Sequence, residues 1–188
     1  MREKPAVLYS EQQIRRRLEE VASGVGQTYA GEELSVVGLM KSCLIFMADL
    51  VRIVPLETNV HMVRVSQGAQ AGRAEIVYAA EVPFEGRHIL LLDDIVDTGI
   101  TLSFLLDHIR EHRPRSLRVC ALIDKSHDRK VDVQVDWALF SMREPVDRFI
   151  VGYGLDYKEQ YRGLPYIGTI SRPAPPPAGG SLRMSPES

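Results

Sequence analysis

The segment LLLDDIVDTGITL at residues 90–102 constrains the fold more than any other part of this chain. It opens with an uninterrupted apolar run, which is typical of a strand buried on both faces of a parallel sheet. The run ends in carboxylates and passes into a short stretch rich in threonine and glycine. After that stretch, the apolar spacing predicts a helix whose buried face consists of Leu102, Leu105, Leu106 and Ile109.

The N-terminal part of the chain predicts a helix, a strand and a second helix. Ser10 and Gln13 match a capping box, and the apolar spacing that follows predicts a helix over residues 11–28. The run LSVVGLM at 34–40 predicts a buried strand. The second helix is expected to end at Pro55, and one of its faces carries four residues at helical spacing: Leu44, Met47, Ala48 and Val51.

The remaining segments complete an α/β pattern. Residues 58–65 alternate as a strand and EIVYAAEV at 75–82 resumes strand character, which predicts a hairpin. Between them, SQGAQAGR at 66–73 has the polar, glycine-bearing composition of a mobile loop. LRVCALID at 117–124 predicts another buried strand. Strands alternating with helices indicate a mostly parallel sheet covered on both faces, with functional residues at the carboxyl ends of its strands.

Composition favours one globular domain that acts on small molecules. The chain has 188 residues, is 45% hydrophobic and carries a formal net charge of −2. Such a chain can form a core, but it lacks the basic field that nucleic-acid or anionic-membrane binding requires. No apolar run approaches the roughly 18 to 20 residues needed to cross a bilayer, and the N-terminus lacks the apolar stretch of a secretion signal. We therefore expect neither nucleic acid nor a membrane as a partner.

Two further expectations concern cellular location and domain bounds. Cys43 and Cys120 both lie in apolar stretches, which favours reduced, buried thiols and a cytoplasmic protein. Residues 171–188 are rich in proline, glycine and serine and nearly free of apolar residues. Such a segment cannot offset its ordering entropy by burial, so we expect a disordered tail after a single domain over residues 1–170.

The loop within LLLDDIVDTGITL has the composition of a phosphate site. Glycine and hydroxyl residues at a helix N-terminus offer unpaired N–H groups and a positive dipole end, which suit a phosphate monoester. The candidates to hold it are Thr98, Gly99 and Thr101. Asp93 and Asp94 are better suited to ribose hydroxyls and to Mg²⁺, a hard cation that prefers oxygen ligands. The alternative is that these carboxylates only cap the following helix.

This segment resembles the signature that binds phosphoribosyl pyrophosphate (PRPP) in type I phosphoribosyltransferases, and more narrowly in their hypoxanthine-guanine branch. VGLMKSCLIFMADLVR at 37–52 resembles the family's pyrophosphate loop and helix, and RFIVGYGLDYKEQYRGLPYIG at 148–168 resembles its purine-binding end. The resemblance spans roughly residues 8–170. It implies the type I α/β fold, with a central, mostly parallel sheet flanked by helices and a small hood formed by the N- and C-terminal segments.

The resemblance also implies roles for individual residues. Asp97 takes the place of the acid/base residue that exchanges a proton with N7 of the purine. Lys41 and the backbone of Ser42 would contact the pyrophosphate through a loop with a non-proline cis peptide bond. Lys125 would donate to the 6-oxo group, which adenine lacks. At the purine-binding end, Phe149 would stack on the base and the backbone of Ile150 would contact the edge of the base. Asp156 would lie near the Mg²⁺ bound to pyrophosphate, and Arg162 would bind the pyrophosphate.

Each of these residues also has an ordinary interpretation, and some depart from the family's pattern. Taken alone, Lys41 and Lys125 are solvated charges, Phe149 is a core residue, and Asp156 pairs with Arg162 at the surface. The family usually has glycine at the positions of Ser42 and Cys43 and tyrosine at that of Gln67 in the lid loop 66–73. Its hypoxanthine-guanine branch generally has glutamate at the position of Asp93, whereas orotate-type relatives also have a pair of aspartates.

The expected activity is Mg²⁺-dependent transfer of phosphoribosyl from PRPP to hypoxanthine or guanine, which gives IMP or GMP and pyrophosphate in purine salvage. The implied metal ligands are Asp93, Asp94 and Asp156, and the implied assembly is a homodimer or homotetramer. One alternative is a relative that prefers xanthine or a pyrimidine. The other is a nucleotide-sensing regulator that keeps the fold without catalysis.

Overall fold

The structure is a computed structural model, and it describes residues 3–67, 74–78, 82–144 and 148–171. These ranges contain three α-helices and nine strands. In chain order they are β1 Ala6–Tyr9, α1 Glu11–Thr28, β2 Leu34–Leu39, α2 Leu44–Val51, β3 Thr58–Gln67, β4 Ala74–Tyr78, β5 His88–Val96, α3 Ile100–Glu111, β6 Ser116–Asp124, β7 Trp137–Ser141, β8 Phe149–Val151 and β9 Ile167–Ile170.

The central layer is a six-stranded sheet with the strand order β4-β3-β2-β5-β6-β7. All neighbours are parallel except β4, which pairs antiparallel with β3. The predicted α/β fold with a mostly parallel sheet is therefore confirmed, as is the β3–β4 hairpin. Of the expected lid loop, residues 68–73 lie outside the described part of the chain.

Strand β5 lies in the middle of the sheet, and both of its faces are covered by helices. Its apolar residues are therefore buried whichever face they point to. Leu90 and Leu92 pack on the side covered by α1 and α2, whereas Ile89 and Leu91 pack on the side covered by α3. All four have no exposed surface. Burial of each such side chain contributes about 1.5–3 kcal/mol relative to leaving it in water. The strand thus joins the two cores of the domain.

The helices follow the predicted patterns with one exception. The capping box of Ser10 and Gln13 is present at the start of α1, and the four apolar residues predicted for α3 are buried. In α2 the helix is confirmed but its predicted face is wrong, because Leu44 is 57% exposed and Ala48 is exposed. The buried residues of α2 are Phe46, Met47 and Leu50. In the described ranges, no helix combines the length and apolarity needed to cross a membrane.

A second, three-stranded sheet of order β1-β9-β8 is antiparallel and joins the two ends of the chain. It is the predicted hood. The predicted tail, residues 171–188, lies outside the described residues except for Ser171. The backbone N–H and hydroxyl of Ser171 both donate to Oε1 of Glu3 at 3.0 Å. The hood therefore fastens the last described residue to the start of the chain.

Candidate active site

Three loops meet at one edge of the central sheet because β2, β5 and β6 are parallel and end side by side. Lys41 follows β2, Asp97 follows β5, and Lys125 follows β6. Val96 pairs with Asp124 in register, and the backbone N–H of Lys125 donates to the carbonyl of Val96 at 2.9 Å. Residues from three separate segments of the sequence therefore lie along the same edge of the sheet, which we call the rim.

The loop after β5 encloses a small cavity of about 80 Å³ at the N-terminus of α3. Its lining includes five of the predicted site residues, namely Asp93, Asp97, Thr98, Gly99 and Thr101. An α-helix N-terminus presents unpaired N–H groups and a partial positive charge to an anion in this position. The geometry therefore agrees with a site for a phosphate group.

Gly99 is required at the turn from loop to helix. It is the N-terminal capping residue of α3 and has a φ of 82°, a conformation that side chains with a Cβ rarely adopt. A Cβ built at this position would lie 2.8 Å from the carbonyl oxygen of Val131. Thr98 completes the turn, since its hydroxyl accepts from the N–H of Ile100 at 3.4 Å. Glycine thus allows the segment around Val131 to pack directly on the loop.

The two carboxylates at the end of β5 have different surroundings. Asp93 is 7% exposed and accepts from the N–H of Asp94 at 2.9 Å, whereas Asp94 is half-buried and accepts from the N–H of Ile95 at 2.8 Å. Burial, and then the negative charge of Asp94, raise the pKa of Asp93 well above its ordinary value. A bound cation would offset both effects, so the pair suits a hard metal ion.

Other ligands for such an ion would come from water or substrate. Within the described ranges, no three His, Cys, Asp or Glu side chains are grouped as a metal site. Mg²⁺ commonly binds to one or two carboxylates together with water and substrate phosphates. Asp93 and Asp94 therefore fit a magnesium ion that arrives with a phosphorylated substrate.

The loop after β2 faces the C-terminal segment across a group of charges. The peptide bond between Met40 and Lys41 is cis, as the family resemblance implies. Nζ of Lys41 lies 3.2 Å from Oε1 of Glu159, and both side chains are exposed. Nη2 of Arg162 lies 3.4 Å from Oε2 of the same carboxylate. Glu159 thus bridges the two cations that the family resemblance assigns to pyrophosphate. The hydrogen bond from Lys41, and then its positive charge, lower the pKa of Glu159.

Arg162 has the densest set of contacts in this group. It donates from Nη1 to the hydroxyl of Ser42 at 3.2 Å and to the carbonyl of Gly154 at 2.8 Å. Its Nη2 pairs with Oδ1 of Asp156 at 2.7 Å, with both side chains about one quarter exposed. Nε of Arg162 is buried and has no hydrogen-bond partner within the part of the chain that the structure describes. The pair of Arg162 and Asp156 is therefore more buried than an ordinary surface ion pair, which was the alternative interpretation of these two residues.

Cys43 links this loop to the carboxylates of β5. It is the first residue before α2, it is completely buried, and its Sγ lies 3.4 Å from the carbonyl oxygen of Leu92. Burial, followed by the charges of Asp94 and Asp93, raises the pKa of the Cys43 thiol well above its ordinary value. The thiol therefore stays neutral and packs as a small apolar group that holds the start of α2 against β5.

The purine-binding end predicted from sequence forms part of the hood. Phe149 is 40% exposed, so it is not a core residue, and its ring meets Tyr157 edge to face at 5.1 Å between centroids. Ile150 is 5% exposed and lies in β8. Across the rim, Lys125 is half-buried. An exposed aromatic ring can stack on a flat heterocycle, and a lysine can donate a hydrogen bond to an oxygen on its edge.

Several residues of the site were not identified from the sequence. Glu159 and Tyr157 lie inside the quoted segment 148–168 but gave no separate signal. Arg129 follows a short 3₁₀ turn, Ser126–Asp128, and looks like one more solvated charge in the sequence. In the structure its side chain is 16% exposed and lies against the loop of Asp97, and only the fold brings the two together.

Comparisons with known proteins all identify the same protein family. Residues 7–158 match the phosphoribosyl transferase domain family. The hypoxanthine-guanine phosphoribosyltransferase of Bacillus subtilis is 36% identical over 168 residues, which cover 87% of this chain and 92% of that protein. The enzyme of the same name from Aquifex aeolicus is 39% identical over 166 residues, which cover 86% of this chain and 92% of that protein.

Solved structures agree with the sequence relatives. A hypoxanthine-guanine phosphoribosyltransferase from Bacillus anthracis superposes with a TM-score of 0.82 at 34% identity, and the match covers 90% of this chain and 99% of that one. A ternary substrates complex of a mutant hypoxanthine phosphoribosyltransferase from Trypanosoma cruzi gives a TM-score of 0.80 at 30% identity, covering 89% and 95%. The chain therefore belongs to the phosphoribosyltransferase family, within its hypoxanthine-guanine branch.

Proposed function

We propose that this protein is an enzyme of purine salvage that transfers the phosphoribosyl group of PRPP to hypoxanthine or guanine and releases pyrophosphate. The observation that carries the proposal is the meeting of three loops at one rim: a phosphate cavity after β5, a lysine after β2 and a lysine after β6. The named relatives support the same reaction, because hypoxanthine-guanine phosphoribosyltransferases match most of this chain.

PRPP would bind along the rim with its two phosphorylated ends apart. Its 5′-phosphate fits the cavity at the N-terminus of α3, where Thr98, Gly99 and Thr101 supply N–H and hydroxyl donors. Its pyrophosphate would lie between Lys41 and Arg162, with the backbone of Ser42 beside it. In the structure the carboxylate of Glu159 occupies this place between the two cations. The pyrophosphate would displace it, because a more highly charged anion gains more from the same two partners.

Magnesium is the cofactor that these residues fit. Asp93 and Asp94 would hold it near the ribose hydroxyls, and Asp156 would lie beside the ion that accompanies the pyrophosphate. When bound, Mg²⁺ supplies positive charge that offsets the negative charge of the departing pyrophosphate. Lys41 and Arg162 add to that charge from the side of the chain, which stabilises the leaving group electrostatically.

The base would be held opposite the pyrophosphate. Phe149 would stack on its face, the backbone of Ile150 would read its edge, and Lys125 would donate to the 6-oxo oxygen. The bond from ribose C1′ to pyrophosphate breaks while the bond from C1′ to the base nitrogen forms, through a transition state with oxocarbenium character. Asp97, which is exposed at the cavity, would accept the proton from N7 of the base.

The proposed setting is a cytoplasmic homodimer or homotetramer. The location is supported by Cys43 and Cys120, which are both free and buried in the structure, as is usual for cysteines in a reducing compartment. The proposed assembly rests on the family resemblance. Light scattering of the purified protein would measure it.

Replacing Lys125 by methionine tests the assignment of the base. We expect the KM for hypoxanthine and for guanine to rise by about 10- to 100-fold, because a charged hydrogen bond contributes about 1.5–3 kcal/mol. The KM for PRPP should stay the same, since Lys125 would touch only the base. Steady-state kinetics with each substrate varied in turn would measure both values.

Lys130→Met is the matched control. Lys130 is an exposed lysine near the same rim, and its backbone N–H donates to the carbonyl of Thr98 at 2.9 Å. Among the residues that the structure describes, its side chain makes no hydrogen bond or ion pair. Its replacement should leave both KM values unchanged. If Lys125→Met instead raises the KM for PRPP alone, the lysine does not read the base. Faster turnover of xanthine or orotate than of hypoxanthine by the unmodified protein would favour the alternative base preference.

A further inference from the structure

Arg129 lies behind the loop that carries the proposed acid/base residue. Its Nη2 pairs with Oδ1 of Asp124, the last residue of β6, and its Nη1 donates to the backbone carbonyl of Asp97 at 3.3 Å. The side chain of Arg129 is 16% exposed and that of Asp124 is 19% exposed. This is an enclosed charge pair rather than a surface one, so its geometry is held by the fold.

Among the described residues of the segment 125–131, the guanidinium of Arg129 is the only group that forms a hydrogen bond with Asp97. The next carbonyl in the loop, that of Thr98, is held separately by the backbone N–H groups of Lys130 at 2.9 Å and Val131 at 3.1 Å. The phosphate half of the loop therefore has its own backbone support. Removing the Arg129 side chain would release the peptide of Asp97 and leave the support of Thr98 in place.

We propose that Arg129 is a positioning residue, which fixes the backbone of Asp97 so that its carboxylate meets N7 of the base. The inference rests on the proposed function. Arginine suits the task because its planar fork directs two nitrogens to two partners, the carboxylate of Asp124 and the carbonyl of Asp97. A lysine has one ammonium on a flexible stem and cannot hold both partners in fixed directions.

Two other roles for Arg129 make different predictions. If its guanidinium bound the 5′-phosphate directly, its loss would raise the KM for PRPP and leave kcat nearly unchanged. If it served stability alone, its loss would lower the melting temperature and leave kcat per folded molecule unchanged. A positioning role lowers kcat and leaves the KM for PRPP unchanged, because misplacing a catalytic group by about 1 Å costs up to about 100-fold in rate.

The test compares Arg129→Met with the unmodified full-length chain and with Arg110→Met. Arg110 lies on α3, is 62% exposed and pairs with Asp107, so its loss should have no effect on kinetics. For Arg129→Met we expect kcat to fall by about 10- to 100-fold with the KM for PRPP unchanged. Arg129→Lys should recover only part of the loss.

A second comparison asks whether Arg129 acts through Asp97. In a chain that already carries Asp97→Asn, adding Arg129→Met should cause no further fall in kcat, because there is no carboxylate left to position. A further fall equal to that seen in the unmodified background would overturn the proposal. Asp124→Asn provides a variant that keeps the guanidinium and weakens its anchor, and it should lower kcat in the same pattern by a smaller factor.

The outcomes separate this proposal from the proposed function. Absence of turnover in the unmodified chain would overturn the proposed function and, with it, this role of Arg129. Normal turnover in the unmodified chain together with unchanged kcat in folded Arg129→Met would overturn the role of Arg129 alone. If Arg129→Met does not fold, Asp124→Asn decides: a lower kcat at constant KM supports the proposal, and an unchanged kcat overturns it.

Discussion

Replacing Asp97 by asparagine is expected to lower kcat by about 100- to 10,000-fold, the range that general acid–base catalysis contributes. Asparagine keeps the size of the side chain but cannot accept the proton from N7 of the purine. PRPP affinity should change little, since the 5′-phosphate is assigned to Thr98, Gly99 and Thr101. Steady-state kinetics with hypoxanthine and guanine, combined with calorimetric titration of PRPP, would measure the two quantities.

Asp107→Asn is the control for the loss of one carboxylate. Asp107 lies on α3, is 68% exposed, and pairs with Arg110 on the surface of the same helix. It should leave kcat and KM unchanged. Turnover of Asp97→Asn at the rate of the unmodified chain would remove the acid/base role, and a loss of PRPP affinity without loss of kcat would reassign Asp97 to substrate binding.

Replacing Gly154 by alanine is expected to damage the site from its other side. Gly154 has a φ of 100°, and a Cβ built there would lie 2.1 Å from the carbonyl oxygen of Ser42. Alanine in this conformation costs about 1–3 kcal/mol before the overlap is counted. The overlap would push the Ser42 peptide away from Arg162, so we expect the KM for PRPP to rise by at least about 10-fold. A lower melting temperature should accompany the change.

Gly163→Ala distinguishes a crowded glycine from an ordinary one. Gly163 lies in the same segment and does not have a left-handed backbone conformation. A Cβ built there meets no heavy atom of the described residues within 4 Å. Its replacement should leave the KM for PRPP and the melting temperature unchanged. Equal effects of the two substitutions would mean that the contact between Gly154 and Ser42 does not support the pyrophosphate site.

Local patterns in the sequence were enough to predict most of the fold. The capping box at Ser10, the apolar run of β5 and the helical spacing of α3 each depend on neighbouring residues, so each could be read directly. The buried face of α2 could not. Its sequence, LIFMADLV, has one charged residue in eight, so no polar face fixes its rotation. Contacts made by distant parts of the chain decided that Phe46 and Leu50 face inward.

The residues of the candidate site also fall into those that the sequence could predict and those that it could not. Asp97 and Lys125 stand directly after apolar strands and Asp93 lies near the end of one, and a parallel sheet places such positions at one edge. Glu159 and Arg129 have no such local signal. One partner of Glu159 is Lys41, 118 residues earlier, and Arg129 reaches a carbonyl 32 residues away. Which solvated-looking charges meet across such distances depends on the folded backbone, so a single sequence could not show it.

The most direct test of the central claim is to incubate the purified chain with PRPP, Mg²⁺ and hypoxanthine and to quantify the products by phosphorus NMR. We predict IMP and pyrophosphate in equal amounts, with guanine giving GMP in the same way, and loss of both products when Mg²⁺ is chelated. PRPP that binds but is never converted, with either base, would contradict the account and indicate a nucleotide-sensing protein that keeps the fold without catalysis.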